Sequence, residues 1–175
     1  MSQYTDKEII ALFKNPDSTK VAFNYIVRTH QVRLYWHVRK IVISHDDADD
    51  VIQNTFIKVW KALPNFRGDS QLYTWLYRIA TNEALSFLKK KKKHLFQSLD
   101  TVSHQLESQI DGSYFTGSEI EKKLQKAILN LPTKQRLVFN MKYFDELKYE
   151  EISEVLGTSV GALKANYHHA KQKIE

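Results

Sequence analysis

The chain of 175 residues contains no cysteine, which excludes a disulfide framework and any thiolate metal centre and fits a reducing compartment. Glycine (5) and proline (3) are scarce, and no glycine-rich phosphate loop, H-E-x-x-H pair or nucleophile elbow is present. His30 and His37 lie seven residues apart with no third and fourth ligand at metal-site spacing. No catalytic group, no metal and no cofactor is therefore expected. No apolar run approaches the ~20 residues of a membrane span, and the opening MSQYTDKEII lacks the charged-then-apolar layout of a secretion signal. The expectation is a cytoplasmic protein without membrane insertion. What remains is a chain that is 42% hydrophobic and 26% charged, with a net charge of +6. That is enough apolar material for real cores, and a charge that admits nucleic acid as a partner without requiring it.

The charge is unevenly spread. Residues 1–93 carry a net +7 and residues 119–175 a net +2, whereas residues 94–117 hold Asp100, Glu107 and Asp111 and no Lys or Arg. That serine-rich stretch has no sustained helical period, so it is read as a flexible acidic linker between two helical domains, 1–93 and 118–175. The fold class expected is all-α.

In the first domain, Thr5 to Glu8 forms a capping box with Tyr4 and Ile9 as a hydrophobic staple, giving a short helix to about Lys14. Pro16, Asp17 and Ser18 break it. A longer helix to about Ile43 places Phe23, Val27, His30, Leu34, Val38 and Ile41 along one side at spacings of four and three. His30 is read there as a hydrogen-bonded boundary residue. The next helix opens on Ser44, Asp46 and Asp47 as cap candidates, with further acids where the helix dipole favours them. Val51, Ile52, Thr55, Phe56, Val59 and Leu63 take its core side. The opposite side carries Asp50, Gln53, Asn54 and Ile57. An isoleucine among polar residues is either an unremarkable exposed side chain or the centre of a protein-docking face.

A polar turn, Pro64 to Ser70, leads into a helix from about Gln71 whose core side bears Leu72, Leu76, Ile79, Ala80 and Phe87. Its far side shows Arg78, Asn82 and Lys89 in one line, beside Trp75 and Tyr77 and running into five lysines, Lys89 to Lys93. The aromatics alone would be core or boundary residues, and the lysines alone a solvated helix end. Together on one helix they suit a phosphate backbone and unstacked bases.

These two helices resemble region 2 of bacterial sigma factors. The matching residues run from Asp47 to Trp60 (DADDVIQNTFIKVW) and from Tyr73 to Asn82 (YTWLYRIATN). The resemblance implies that the first helix binds core RNA polymerase through Asp47, Asp50, Gln53, Asn54 and Ile57. It implies that Asn65, Phe66, Arg67, Ser70, Trp75, Arg78, Asn82 and Lys89 meet the promoter's minus-ten element.

The second domain opens on another capping box, Ser118 to Glu121. A helix from about Lys134 to Phe144 follows Leu131-Pro132-Thr133. Two short helices then flank Gly157, which suits the C′ position, and Ser159 can cap the last of them. This is the outline of a helix-turn-helix. In the final helix Leu163, Tyr167, Ala170 and Ile174 form the buried stripe, and Gly161, Lys164, Ala165, His168 and Gln172 lie opposite. A small residue beside a cation permits close approach to base edges, while flanking lysines suit phosphates. Adjacent His168 and His169 diverge by about 100° and cannot share a metal.

The segments from Leu131 to Phe139, Tyr149 to Ser153 and Gly161 to Lys171 are similar to sigma region 4, which reads the minus-thirty-five element. On that resemblance Ser159, Gly161, Lys164, Ala165, Asn166, His168, His169 and Lys171 are the DNA-facing residues. The chain departs from the common form by carrying Ala165, Asn166 and His169 where relatives have Ser or Arg. Fewer guanidinium forks change phosphate clamping and guanine contacts, so a target sequence does not carry over. Two regions with nothing resembling a further sigma domain between them match the extracytoplasmic-function group. The partners implied are bacterial core RNA polymerase, promoter DNA and an anti-sigma protein, with the active protein on the nucleoid. Two rivals stand beside this reading. One is an autonomous helix-turn-helix regulator. The other is a magnesium-dependent nuclease built on Asp46 to Asp50, whose carboxylates at one helix start point in diverging directions.

Overall fold

The computed structural model describes residues 4–94 and 118–175. Among them are eight α-helices, one short 3-10 turn and no strand. In chain order these are α1 (Asp6–Lys14), α2 (Thr19–Val42), α3 (His45–Ala62), the turn Leu63–Asn65, α4 (Leu72–His94), α5 (Glu119–Leu129), α6 (Thr133–Tyr143), α7 (Tyr149–Leu156) and α8 (Val160–Ile174). The acidic stretch expected to be a linker falls, from residue 95 to 117, outside the described residues. No helix among them is long and apolar enough to cross a membrane.

The helix starts follow local chemistry. The Thr5 hydroxyl accepts from the Glu8 amide while the Glu8 carboxylate accepts from the Thr5 amide at 2.7 Å, and Ser118 and Glu121 repeat the pattern. Ser44 and Ser159 cap α3 and α8. Gly157 ends α7 at φ 65°, a left-handed conformation with little cost for glycine. Ile43, which ends α2, also has a positive φ of 68°, but with ψ −44° it lies outside the left-handed helical conformation where the chain turns into α3.

α2 is central to the first domain, touching α1, α3 and α4, and it also meets α6 of the second. Its buried residues are Ala22, Ile26, Leu34, His37, Val38, Ile41 and Val42. The expected stripe is therefore displaced at its start. Phe23, Val27 and His30 sit at the boundary, half-buried, because α1 and α3 close on α2 from the flank. Phe23 meets Phe56 and Trp60 edge-on there, with ring centroids at 6.4 and 4.9 Å. Burial lowers the His30 imidazole's affinity for a proton, against the pull of Asp6.

α4 packs on α2 and α3 through Leu72, Leu76, Ala80 and Ala84. Tyr77, read from the sequence as one of the aromatics beside a DNA face, is instead only 1% exposed and belongs to the core, where burial pushes its phenol far above the usual range. The reason is the second domain. α7 and α6 close over α4 and α2, and one hydrophobic cluster runs from Ile9 through Leu76 to Leu147, Ile152 and Val155. A smaller cluster of Ile128, Leu131, Phe139 and Ala170 holds α5, α6 and α8 together. Arg136, buried at the start of α6, directs its guanidinium at the Leu129 carbonyl, one of those that the end of α5 leaves free.

Candidate polymerase and promoter surfaces

α3 presents its solvent side as a single line. Ala48, Val51, Thr55 and Val59 are buried, which turns Asp50, Gln53, Asn54 and Ile57 outward together. Ile57 is 53% exposed, and Trp60, three residues on, is 40% exposed while its ring rests edge-on against Phe13 and Phe23. Trp60 thus extends the apolar part of this face. The sequence offered its i, i+3 spacing from Ile57 as the only signal. Asp47 is set apart from the line, because its carboxylate is drawn 2.5 Å from the Lys91 ammonium of α4. Asp49 faces His45 at 3.4 Å instead. The acids at this helix start therefore diverge, and among the described residues no group of three potential ligands could hold a metal ion.

On α4, Arg78, Asn82, Ser86 and Lys89 are all exposed at successive helical turns. Trp75 is half-buried, its ring 4.8 Å from that of Phe66. Phe66 itself is 7% exposed, so it props the 65–71 loop from beneath and does not offer a free ring. Asn65 and Arg67 are exposed and Ser70 half-buried. The loop turns at Gly68 (φ 79°) and borders a cavity of about 690 Å³. The opposite wall is α1, with Asp6, Lys7 and Lys14, and Glu154 of α7 closes the rim. Asp6 also accepts a hydrogen bond from the Leu72 amide at 2.8 Å, capping α4 from a helix 66 residues upstream. Nothing in the local sequence of α4 signals that contact.

On α8, Ser159, Gly161, Lys164, Ala165, His168, His169 and Lys171 are exposed along the outer face. A Cβ at Gly161 would meet nothing within 4 Å, so the start of this helix is open to a large partner. Asn166 is half-buried and its amide donates to the Ala162 carbonyl at 2.9 Å, which ties it to its own helix. Lys164 leans over the Tyr149 ring, 5.8 Å from its centroid.

Residues 26–94 match the family described as Sigma-70 region 2, and residues 121–174 match Sigma-70, region 4. The chain is 31% identical to the ECF RNA polymerase sigma-E factor of Escherichia coli, covering 99% of this chain and 94% of that protein. It is 30% identical to the RNA polymerase sigma-H factor of Pseudomonas aeruginosa, over 100% and 94% of the two chains. Among solved structures it resembles CnrH in complex with the cytosolic domain of CnrY, with a TM-score of 0.69, 25% identity, and coverage of 97% and 94%. The fold is shared with the sigma factor RpoE from Bartonella quintana, solved with the anti-sigma factor NepR, at a TM-score of 0.67 and 22% identity over 87% and 93%. Two region matches in chain order, and relatives aligned along nearly their whole length, establish that the chain belongs to the extracytoplasmic-function group of RNA polymerase sigma factors.

Proposed function

We propose that this sigma factor engages core RNA polymerase through the α3 line Asp50, Gln53, Asn54 and Ile57, with Trp60 at its edge and Asp47 acting from beside it. The observation that carries the assignment is an apolar side chain, Ile57, standing exposed among three exposed polar ones on a helix whose opposite side is wholly committed to the core. A solvated helix face gains nothing from that isoleucine, whereas a protein interface does. Promoter-specific initiation then follows from two DNA readers on one chain. Arg78, Asn82 and Lys89, with Trp75 and the 65–71 loop, take the minus-ten element. The outer face of α8 takes the minus-thirty-five duplex.

Capturing an unstacked base costs a few kcal/mol, and stacking or polar contacts return about 1–3 kcal/mol per base. Polymerase contacts supply the remainder, so the free chain binds promoter duplex weakly. Nothing in this function calls for a catalytic group or a cofactor, and it belongs in the cytoplasm, on the nucleoid while transcription proceeds. A protein antagonist is part of the proposal, supported by CnrH having been captured with the cytosolic domain of another protein. The test is co-elution of the purified chain with bacterial core enzyme. Wild type is expected to co-elute, and Asp50→Lys combined with Gln53→Lys to separate. Co-elution of the double variant at wild-type level would remove α3 as the docking face.

A further inference from the structure

α1 faces the 65–71 loop with a stripe of residues that the core does not use. Ile9 and Phe13 turn inward and are buried. Lys7, Ile10, Ala11 and Lys14, at i, i+3, i+4 and i+7, form the adjoining side of the helix, and all four line the cavity of about 690 Å³. Ile10 is half-buried and the other three are exposed. Two cations about 10 Å apart along the helix thus flank a small apolar patch. Arg67 and Gly68 stand on the loop side of the same cavity. A Cβ at Gly68 would meet nothing within 4 Å, so small residues, Gly68 and Ala11, mark both walls and leave room for a backbone to come close. The volume falls in the range of ligand clefts, roughly 300–1,000 Å³.

The charges around this cavity decide what it can hold. Among the described residues, Lys7, Lys14 and Arg67 take part in no ion pair. Asp6, Asp69 and Glu154 line the same cavity, so three cations meet three acids and the formal sum is 3 − 3 = 0. Asp6 is already engaged by the Leu72 amide. A mouth without net charge has little hold on a free anion in water, where exposed charges are screened. A strand that polymerase already holds alongside is different, because it arrives at high effective concentration and needs only short-range contacts. Continuity points to the same source: Phe66, which lines the cavity, has its ring 4.8 Å from Trp75 on the α4 surface assigned above to the minus-ten element.

We propose that α1 and the 65–71 loop enclose a further subsite for the opened non-template strand, in which Lys7 and Lys14 hold backbone phosphates and Ile10 and Ala11 take the apolar side of a sugar. The inference rests on the sigma-factor reading and extends its single-strand interface to a helix that lies upstream of the region 2 match, which begins at residue 26. Phosphate contacts fix register and orientation and carry no base preference. Lys7 and Lys14 are therefore positioning residues: they hold the strand taut across the loop while other groups read the bases.

The test uses reconstituted holoenzyme on a forked promoter whose non-template strand is single from the minus-ten element onward. Lys7→Ala combined with Lys14→Ala changes exposed positions only, so affinity for core polymerase should hold. Each single-strand phosphate contact contributes about 0.7 to the slope of log affinity against log salt. The double variant should therefore have a slope shallower by about 1.4, and raising salt from roughly 50 to 200 mM should weaken wild type about sevenfold more than the variant. Lys7→Arg with Lys14→Arg should restore the slope. Methylphosphonates placed one at a time in the non-template strand should weaken wild type at one or two positions to which the double alanine variant is indifferent. Ala11→Cys, in a chain with no other cysteine, should carry a photo-crosslinker to the non-template strand of the open complex. Equal slopes and equal methylphosphonate profiles, or crosslinks confined to the template strand, overturn the subsite. Binding of millimolar ATP by the free chain, lost in the double variant, also overturns it, by putting a free nucleotide in place of the strand. A chain that never joins core polymerase fails as a sigma factor and takes the subsite with it, whereas a double variant that forms holoenzyme normally and keeps wild-type salt dependence removes the subsite alone.

Discussion

The bond from Asp6 to the Leu72 amide makes α1 a structural support of α4 and the 65–71 loop, the surface proposed above to take the minus-ten element. The first amides of α4 have no partners within the helix, and Asp6 satisfies the leading one from outside while placing a negative charge at the positive end of the helix dipole. Residues 26–94 carry the region 2 match, so α1 lies upstream of it. Asp6→Ala leaves the Thr5–Glu8 capping box intact and removes this hydrogen bond, together with the charge that Asp6 places near His30 and in the first turn of α1. A cap of this kind is worth about 1 kcal/mol. In a chain of this size that corresponds to a melting temperature lower by about 2–4 °C. If the 65–71 loop must be re-ordered each time a base is captured, the same energy lowers open-complex occupancy about fivefold. Thermal unfolding by circular dichroism and open-complex lifetime with the reconstituted holoenzyme read the two effects. Asp6→Asn keeps an acceptor oxygen and should retain most of both. A melting temperature and an open-complex lifetime for Asp6→Ala equal to wild type would show that α1 does not position the loop.

Ile57→Glu should leave thermal stability within about 0.5 kcal/mol of wild type, as an exposed substitution does, yet weaken core polymerase ten- to hundredfold if about 1.5–3 kcal/mol of apolar burial is lost. Fluorescence anisotropy with labelled chain measures it, and a change under twofold would place Ile57 outside the interface. Glu146→Val sets a β-branched residue at a positive φ and should cost about 1–2 kcal/mol in chemical denaturation; an unchanged midpoint would mean that the α6–α7 corner does not hold that turn. The interdomain contact should also fail in acid. Burial pushes the Asp145 carboxyl up, but the hydrogen bond and charge of His37 and the charge and hydrogen bond of Lys40 together hold it below its usual value, with Arg33 and Tyr77 close by. A depressed carboxyl stabilises the fold fully above its unfolded value near 4 and loses that contribution as pH falls through the folded value. The midpoint of chemical denaturation should therefore be flat from pH 7 to about 5 and fall below about 4; a fall confined to the range above pH 6 would point to another group.

What the sequence revealed was mostly local. Capping boxes at Thr5 and Ser118, single caps at Ser44 and Ser159 and the left-handed Gly157 all depend on neighbours within a few residues, and each is where the pattern placed it. The Asp50–Ile57 and Arg78–Lys89 lines were legible for the same reason, since helical period alone decides which residues share a face. Contacts between distant segments were not. Asp6 and Leu72 are 66 residues apart, and Asp145 lies 105 to 112 residues from its partners on α2. Tyr77 looked like half of an exposed aromatic pair because its cover, α7, is far along the chain. The α2 stripe shifted for a related reason. A helix packed on several sides has too broad an apolar surface for one line of residues to define it, and a buried His37 bonded to Thr81 and Asp145 looks polar in any hydropathy pattern.

Run-off transcription on genomic fragments bears most directly on whether this chain is a specificity subunit. Purified core polymerase and the purified chain should together give discrete start sites that neither produces alone, while the chain by itself shows only weak, salt-sensitive binding to the same fragments. Discrete initiation by core polymerase regardless of the chain, or tight sequence-specific binding by the chain with no effect on initiation, would contradict the account.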